Sequence, residues 1–169
     1  MGRLGCKCGN NMSDTDCPSQ NIIHVYTKSE TEAAIKADPT VSLWDFHMFE
    51  RQYEYWYCPI CKRVHQLDIG KRRIWRTFRP VKATRHSFHQ AVQGWEELFI
   101  FSDTDIDYAT EMDFGITLSD FINNSTNAYQ FRISPKNDVI EAYSRKTLMP
   151  ALAYIVETEY TDADVIYGC

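Results

Sequence analysis

The sequence predicts an α+β protein, with a metal-stapled N-terminal region that carries an inserted strand and helix. A mixed, mainly antiparallel β region with short helices follows it. Three observations point there. Cysteines occur as two close pairs, Cys6-Lys7-Cys8-Gly9 and Cys58-Pro59-Ile60-Cys61. Short β-branched and aromatic runs are separated by turn-forming clusters, the pattern of strands. Hydroxyl residues followed three positions later by a carboxylate mark short capped helices.

In chain order, Asn10–Gln20 is a polar loop and Ile22–Tyr26 a strand. Ser29-Glu30-Thr31-Glu32 fits a capping box that opens a helix through Ala37, which Pro39 stops. Leu43–Phe49 is apolar without a clean period and stays unassigned. Tyr53–Tyr57 is a strand leading into the second cysteine pair. Val64–Leu67 and Arg73–Phe78 form a hairpin around Asp68-Ile69-Gly70-Lys71, with glycine in the turn. Pro80–Arg85 reads as a connection. Phe88, Ala91, Val92 and Trp95, spaced i, i+3, i+4 and i+7, predict a short amphipathic helix ending near Gly94. Glu97–Phe101 is a strand, Thr117–Asp120 a helix cap, and Asn123–Asn127 a polar loop. Tyr129–Ile133, Val139–Tyr143 and Leu152–Tyr160 are strands, with a turn at Pro135–Asp138 between the first two. No internal repeat is evident.

Two short-spaced thiol pairs suit a tetrahedral structural Zn²⁺, so Cys6, Cys8, Cys58 and Cys61 are the candidate ligands. Met1–Gly5 lacks the apolar stretch of a signal peptide. No run of about 18 apolar residues offers a membrane span. The expectation is a cytoplasmic protein without a membrane partner, where paired cysteines serve as metal ligands rather than disulfides. In a secreted chain the six cysteines would instead suit three disulfides. Cys17 and Cys169 stand outside the pairs and are expected as free thiols. Four thiolates leave zinc no open position for water, so the metal is expected to be structural. No nucleophile–base pair or phosphate loop is present, and the chain is expected not to be an enzyme.

At 169 residues, with 44% hydrophobic and 14% aromatic residues, the chain has enough apolar surface for a folded core. Its net charge of −5 hides an asymmetry: residues 1–61 sum to −3, residues 62–89 to +8 and residues 90–169 to −10. Each charged part suggests a partner. The basic stretch, with Arg72, Arg73, Trp75, Arg76 and Arg79, offers phosphate contacts and base stacking to a nucleic acid. The acidic part offers Asp103, Asp105, Asp107, Glu111 and Asp113 to a basic protein. Ser102–Asp107 fails as a calcium loop because Tyr108 stands where glycine is needed and Phe114 where glutamate is needed. Too little chain follows for an aspartyl phosphotransfer domain, so an acidic solvated loop is expected there. His65, His86 and His89 are expected as ordinary side chains, and the Asn123–Thr126 sequons as silent in a cytoplasmic protein.

Cys6-Lys7-Cys8-Gly9 and Tyr57-Cys58-Pro59-Ile60-Cys61-Lys62-Arg63-Val64 resemble the two knuckles of a zinc ribbon. The resemblance covers about the first 80 residues. It divides the chain into a ribbon-like region, 1–80, and an α+β region, 81–169, packed as one unit. The whole is similar in style to compact bacterial ribbon proteins encoded beside toxins. That resemblance implies a non-enzymatic immunity protein, a toxin inhibitor whose acidic surface covers a basic toxin domain. The alternative is a transcription-associated or nucleic-acid-binding ribbon acting through the basic hairpin.

Overall fold

The computed structural model describes residues 2–48, 53–71, 73–82, 94–125, 127, 129–147 and 150–159. A short hairpin, β1 (Arg3–Gly5) and β2 (Asn11–Ser13), comes first. Then follow β3 (Ile22–Thr27), α1 (Lys28–Ala37), α2 (Leu43–Met48), β4 (Tyr53–Tyr57), β5 (Val64–Asp68) and β6 (Arg73–Lys82). The chain continues with β7 (Glu96–Ser102), α3 (Asp103–Met112), α4 (Leu118–Asn123), β8 (Tyr129–Ile133), β9 (Val139–Ser144) and β10 (Pro150–Glu159). Strands β3 to β10 close into an eight-stranded barrel in the order β10-β6-β5-β4-β3-β7-β8-β9, every pairing antiparallel.

A closed antiparallel barrel replaces the expected α+β zinc ribbon. The strand expected as an insertion, β3, is a stave between β4 and β7. Individual strands were legible because alternation is local, but closure rests on β3–β7 and β6–β10, which join segments far apart in sequence. Local corrections follow. Leu43–Met48 is a helix, and the strand expected to end at Phe78 runs through Pro80 to Lys82. The box opening α1 starts at Thr27, with Glu30 as its carboxylate. Ser102–Asp107, expected as a loop, is a helix start: Ser102 accepts from the Asp105 amide and Asp105 caps Ser102 in return. The helix expected at 88–95 falls mostly outside the described residues, as do His86, His89, Arg85, Arg72 and Cys169. Among the described residues no helix is long and apolar enough to cross a membrane.

The barrel consists of two copies of one strand–helix–helix–strand–strand–strand unit, the internal repeat that the sequence alone did not reveal. At a constant separation of 75 residues, Thr27 matches Ser102, Glu30 Asp105, Asp38 Asp113, Leu43 Leu118 and Phe46 Phe121. The first two pairs are the caps of α1 and α3, and Asp38 and Asp113 are their C-caps. A pseudo-twofold axis relates the halves. Equivalent residues Val25 and Ile100 pair with each other, as do Ser42 and Thr117. Leu43 N donates to Ile116 O at 3.0 Å, and its equivalent Leu118 N donates to Val41 O at 2.9 Å. From β4 onward the separation is 76: Tyr57↔Val64 corresponds to Ile133↔Ile140, and Phe78 to Tyr154.

Three apolar groups hold this arrangement. Val64, Phe78, Leu98 and Ile140, with Val25 and Ile100, line the barrel interior, the inward half of each strand's alternation. Outside β3 and β7, the helices bury Tyr26, Leu43 and Phe46 with Phe101, Leu118 and Phe121. Here the repeat reaches side-chain geometry: Tyr26–Phe46 centroids lie 4.7 Å apart and Phe101–Phe121 centroids 4.5 Å. The third group, Leu4, Cys6, Met12, Trp56, Cys58, Leu67 and Ile74, packs the N-terminal hairpin against the outer face of β4–β6.

Candidate metal centre

The β1–β2 turn carries Cys6 and Cys8, and the six-residue β4–β5 turn carries Cys58 and Cys61. Cys6 N donates to Asn10 O and Gly9 N to Cys6 O, each at 2.8 Å. Gly9 has φ 89°, a left-handed conformation that glycine adopts without a side-chain clash. In the second turn Cys58 N donates to Arg63 O at 2.9 Å and Lys62 N to Cys58 O at 2.8 Å. Lys62 itself takes φ 63°, the left-handed turn residue without being glycine.

These two turns bring four sulfurs together. Cys6 Sγ lies 3.4 Å from Cys61 Sγ, Cys8 Sγ lies 3.7 Å from Cys58 Sγ, and all four sulfurs fall within 4.8 Å of one another. A disulfide needs about 2.05 Å, so none is formed. Four sulfurs at about 2.3 Å from one metal ion stand about 3.8 Å apart, close to the 3.7 Å of Cys8–Cys58. The four cysteines lie close enough to hold a metal ion. Asn10 Nδ2 stands 3.6 Å from Cys58 Sγ, a donor from outside the ligand set.

The local electrostatics favour thiolates at the second turn. For Cys61, burial opposes ionisation but is outweighed by side-chain and backbone hydrogen bonds from Arg63, and the thiol falls to about 6. For Cys58, burial is likewise outweighed, by amides of Cys61 and Ile60, and its thiol is lowered. Burial pushes the Cys6 thiol up, and hydrogen bonding with neighbouring cysteines adds to the rise. A cation among the sulfurs removes that opposition to ionisation. Arg63 is itself held by Glu157 of β10, with Nε–Oε2 2.7 Å and Nη2–Oε1 3.0 Å. The cluster is thereby tied to β10, the last strand of the second repeat, which pairs with β6.

The second repeat shows what the fold requires of this turn without a metal. The same number of residues separates the pairs Tyr57↔Val64 and Ile133↔Ile140, and the β8–β9 turn makes the same backbone bond, Ser134 N to Val139 O at 2.9 Å. Ser134-Pro135 stands where Cys58-Pro59 does, and Asn137 where Cys61 does. There the Ser134 hydroxyl organises the turn, accepting from Asp138 N and Val139 N at 3.1 Å each. The cysteines therefore exceed what the barrel needs at this position.

His65, four residues beyond Cys61, is outside the cluster. It is buried on β5, and its Nδ1 pairs with Thr77 Oγ1 at 2.9 Å. Burial, aided by the Arg63 charge, lowers it to about 4. The folded protein thus resists protonation that the unfolded chain accepts near the usual 6.5. Its contribution is fully present above about pH 6.5 and shrinks as pH falls from 6.5 toward 4, by roughly 3 kcal/mol in all. Urea unfolding of wild type and His65→Gln across that interval tests this expectation. The variant should have the flatter pH dependence, and parallel curves would refute it.

The other candidate residues are dispersed. Arg73 is buried, its guanidinium 5.3 Å from the Trp75 ring centroid. Arg76 donates to Asn137 O at 2.8 Å, and Arg79 is exposed farther along β6. Among the acidic residues, Asp103 accepts from Ser19 N at 2.7 Å and pairs with His24 Nε2 at 3.0 Å, while Asp105 is spent on the α3 cap. Glu111 and Asp113 are exposed and Asp107 partly so. The exposed apolar residues beside them, Tyr108, Met112 and Phe114, come together as a group only because Ser102–Asp107 opens a helix rather than a loop. On a helix, Tyr108, Glu111 and Met112 share a face.

Comparison with known families adds one match. Residues 2–89 fit the family described as Domain of unknown function (DUF8617). The chain belongs to the DUF8617 family. Its DUF8617 segment contains both cysteine turns, the N-terminal hairpin and the whole first repeat through β6, while the second repeat lies beyond it. No curated protein and no solved structure matches the chain.

Proposed function

We propose that this is a non-enzymatic protein-binding module, stapled by one structural Zn²⁺, whose acidic second-repeat helices receive a basic partner protein. Inhibition of a basic toxin domain is the form of this proposal closest to the charge pattern. Cys6, Cys8, Cys58 and Cys61 hold the zinc with four thiolates and no open position, so the metal serves the fold rather than catalysis.

The observation that carries the binding proposal is the contrast between α3 and its own repeat. Tyr108, Met112 and Phe114 are 65, 70 and 71% exposed, and Trp44, whose ring lies 6.4 Å from Phe114, is 42% exposed. The equivalent positions of the first three in the first repeat are Ala33, Ala37 and Pro39. The same helix therefore folds without large apolar groups there. Charge diverges in the same sense: Lys28 and Lys36 of α1 become Asp103 and Glu111 of α3. Glu111, in the last turn where α1 has Lys36, opposes the helix dipole at a cost of about 0.3–1 kcal/mol. A face that is costly and unneeded by the fold, apolar at its centre and acidic around it, suits a basic protein surface.

The test uses the first repeat's own residues. Tyr108→Ala/Met112→Ala should keep the wild-type Tm and lose at least tenfold in affinity for basic proteins that wild type captures, by calorimetry at two salt concentrations. Wild-type binding should also weaken with salt. Equal affinity of the folded variant would sink the proposal.

A further inference from the structure

One end of the barrel holds a cavity of about 640 Å³ that opens to solvent, within the size range of small-molecule sites. Its apolar wall includes Val25, Phe46, Phe78 and Leu98. Its polar side is Tyr55, Gln66, Trp75 and Arg76. Gln66 Nε2 donates to Tyr55 Oη at 3.1 Å, and the Arg76 guanidinium lies 5.9 Å from the Trp75 ring centroid. A β-bulge explains how two successive residues of β6 reach one cavity. Gln66 pairs with Arg76 and Leu67 with Ile74, which leaves Trp75 as the extra residue.

The repeat again supplies the comparison. β10 carries the corresponding bulge, Ala142 pairing with Leu152 and Tyr143 with Pro150, so Ala151 is its extra residue. At the other end of the barrel, Phe131, Ala142, Ala151 and Leu152 therefore stand where Tyr55, Gln66, Trp75 and Arg76 stand here. The same scaffold carries four apolar residues at these positions. A guanidinium, an amide and a phenol facing an interior are not required by the barrel, and burying polar groups is costly. Glu30, the carboxylate among the lining residues, is committed to the α1 cap through Thr27 N at 2.7 Å, and Arg76 donates to Asn137 O at 2.8 Å at the rim.

We infer that this end of the barrel is a binding site for a small organic anion, its aromatic body seated on the apolar wall and Trp75, its carboxylate on Arg76. Guanidinium recognises carboxylate by charge-assisted hydrogen bonds, and the neighbouring apolar wall strengthens that contact. The site is independent of the acidic helical face and of the metal.

Calorimetry on the full chain with 1-naphthoate and its neutral analogue 1-naphthalenemethanol tests the site. Naphthoate should bind with one site per chain, at least tenfold more tightly than the alcohol. Arg76→Leu, which installs the second repeat's residue, should abolish that preference while the Tm stays near wild type. Leu98→Trp, which fills the cavity and leaves the polar side intact, should weaken both probes and keeps the test available if Arg76→Leu misfolds. Absence of saturable naphthoate binding at millimolar concentration overturns the inference. So does equal affinity for the two probes, or a preference that survives in folded Arg76→Leu.

Discussion

Cys58→Ser/Cys61→Ser loses the metal and lowers Tm by on the order of 10 °C or more. Metal binding is coupled to the folding of the segment that carries the ligands, and here that segment is the N-terminal hairpin. Its barrel contact is Leu4 and Met12 on Trp56, Leu67 and Ile74, and two short strands do not sustain that packing alone. Each of those side chains is worth about 1.5–3 kcal/mol when buried. Wild-type protein should contain about one zinc per chain by elemental analysis. Trp56 is fully buried beneath the hairpin, so the variant's emission should shift to the red as the hairpin lifts. Cys17→Ser, at an exposed thiol outside the cluster, is the control and should retain both metal and Tm. A double variant with wild-type zinc content would refute the assignment of ligands.

Glu141→Ala is expected to cost about 3–5 kcal/mol, the second large effect. Glu141 is 1% exposed, and its Oε2 accepts from Arg132 Nε at 2.7 Å and Nη2 at 2.5 Å. Arg132 also lies over Trp95, 4.8 Å from its centroid, so its charge has little access to water once the carboxylate is gone. The equivalent pair in the first repeat is Trp56↔His65, which shows that the barrel accepts uncharged residues on this outer face. Glu141→Ala/Arg132→Met should therefore recover much of the loss. Urea unfolding of the single and double variants decides it, and a double variant no more stable than Glu141→Ala would show that the loss has another origin.

The cysteine pairs were readable because metal ligation imposes short spacings that survive in one dimension. The caps at Thr117 and the hairpin around Asp68–Lys71 were readable for the same reason, since each is satisfied within a few residues. Lys71 N bonds to Asp68 Oδ1 at 2.9 Å, and Asp120 N to Thr117 Oγ1 at 3.1 Å. Leu43–Met48 was not readable as a helix. Leu43 and Phe46 are buried by the helical layer, and the short helix has no period long enough to declare itself. The repeat is not legible in the sequence because its halves preserve roles more than residues. Thr27 and Ser102 both cap, Val41 and Ile116 both pack, yet only scattered positions are identical.

By itself, then, the sequence determined most of the strands, the helix start at Thr117, the candidate metal ligands and the opposition of basic and acidic stretches. Each of these depends on neighbours close in the chain. Tertiary structure alone decided that eight strands close into a barrel. The closing pairs, Val25↔Ile100 and Arg79↔Ile155, lie about the axis between the two halves and have no local signature. It also decided which charges remain exposed, because burial depends on what packs opposite. The basic stretch divides between a buried Arg73, a cavity-lining Arg76 and an exposed Arg79, while Glu111 and Asp113 stay in solvent.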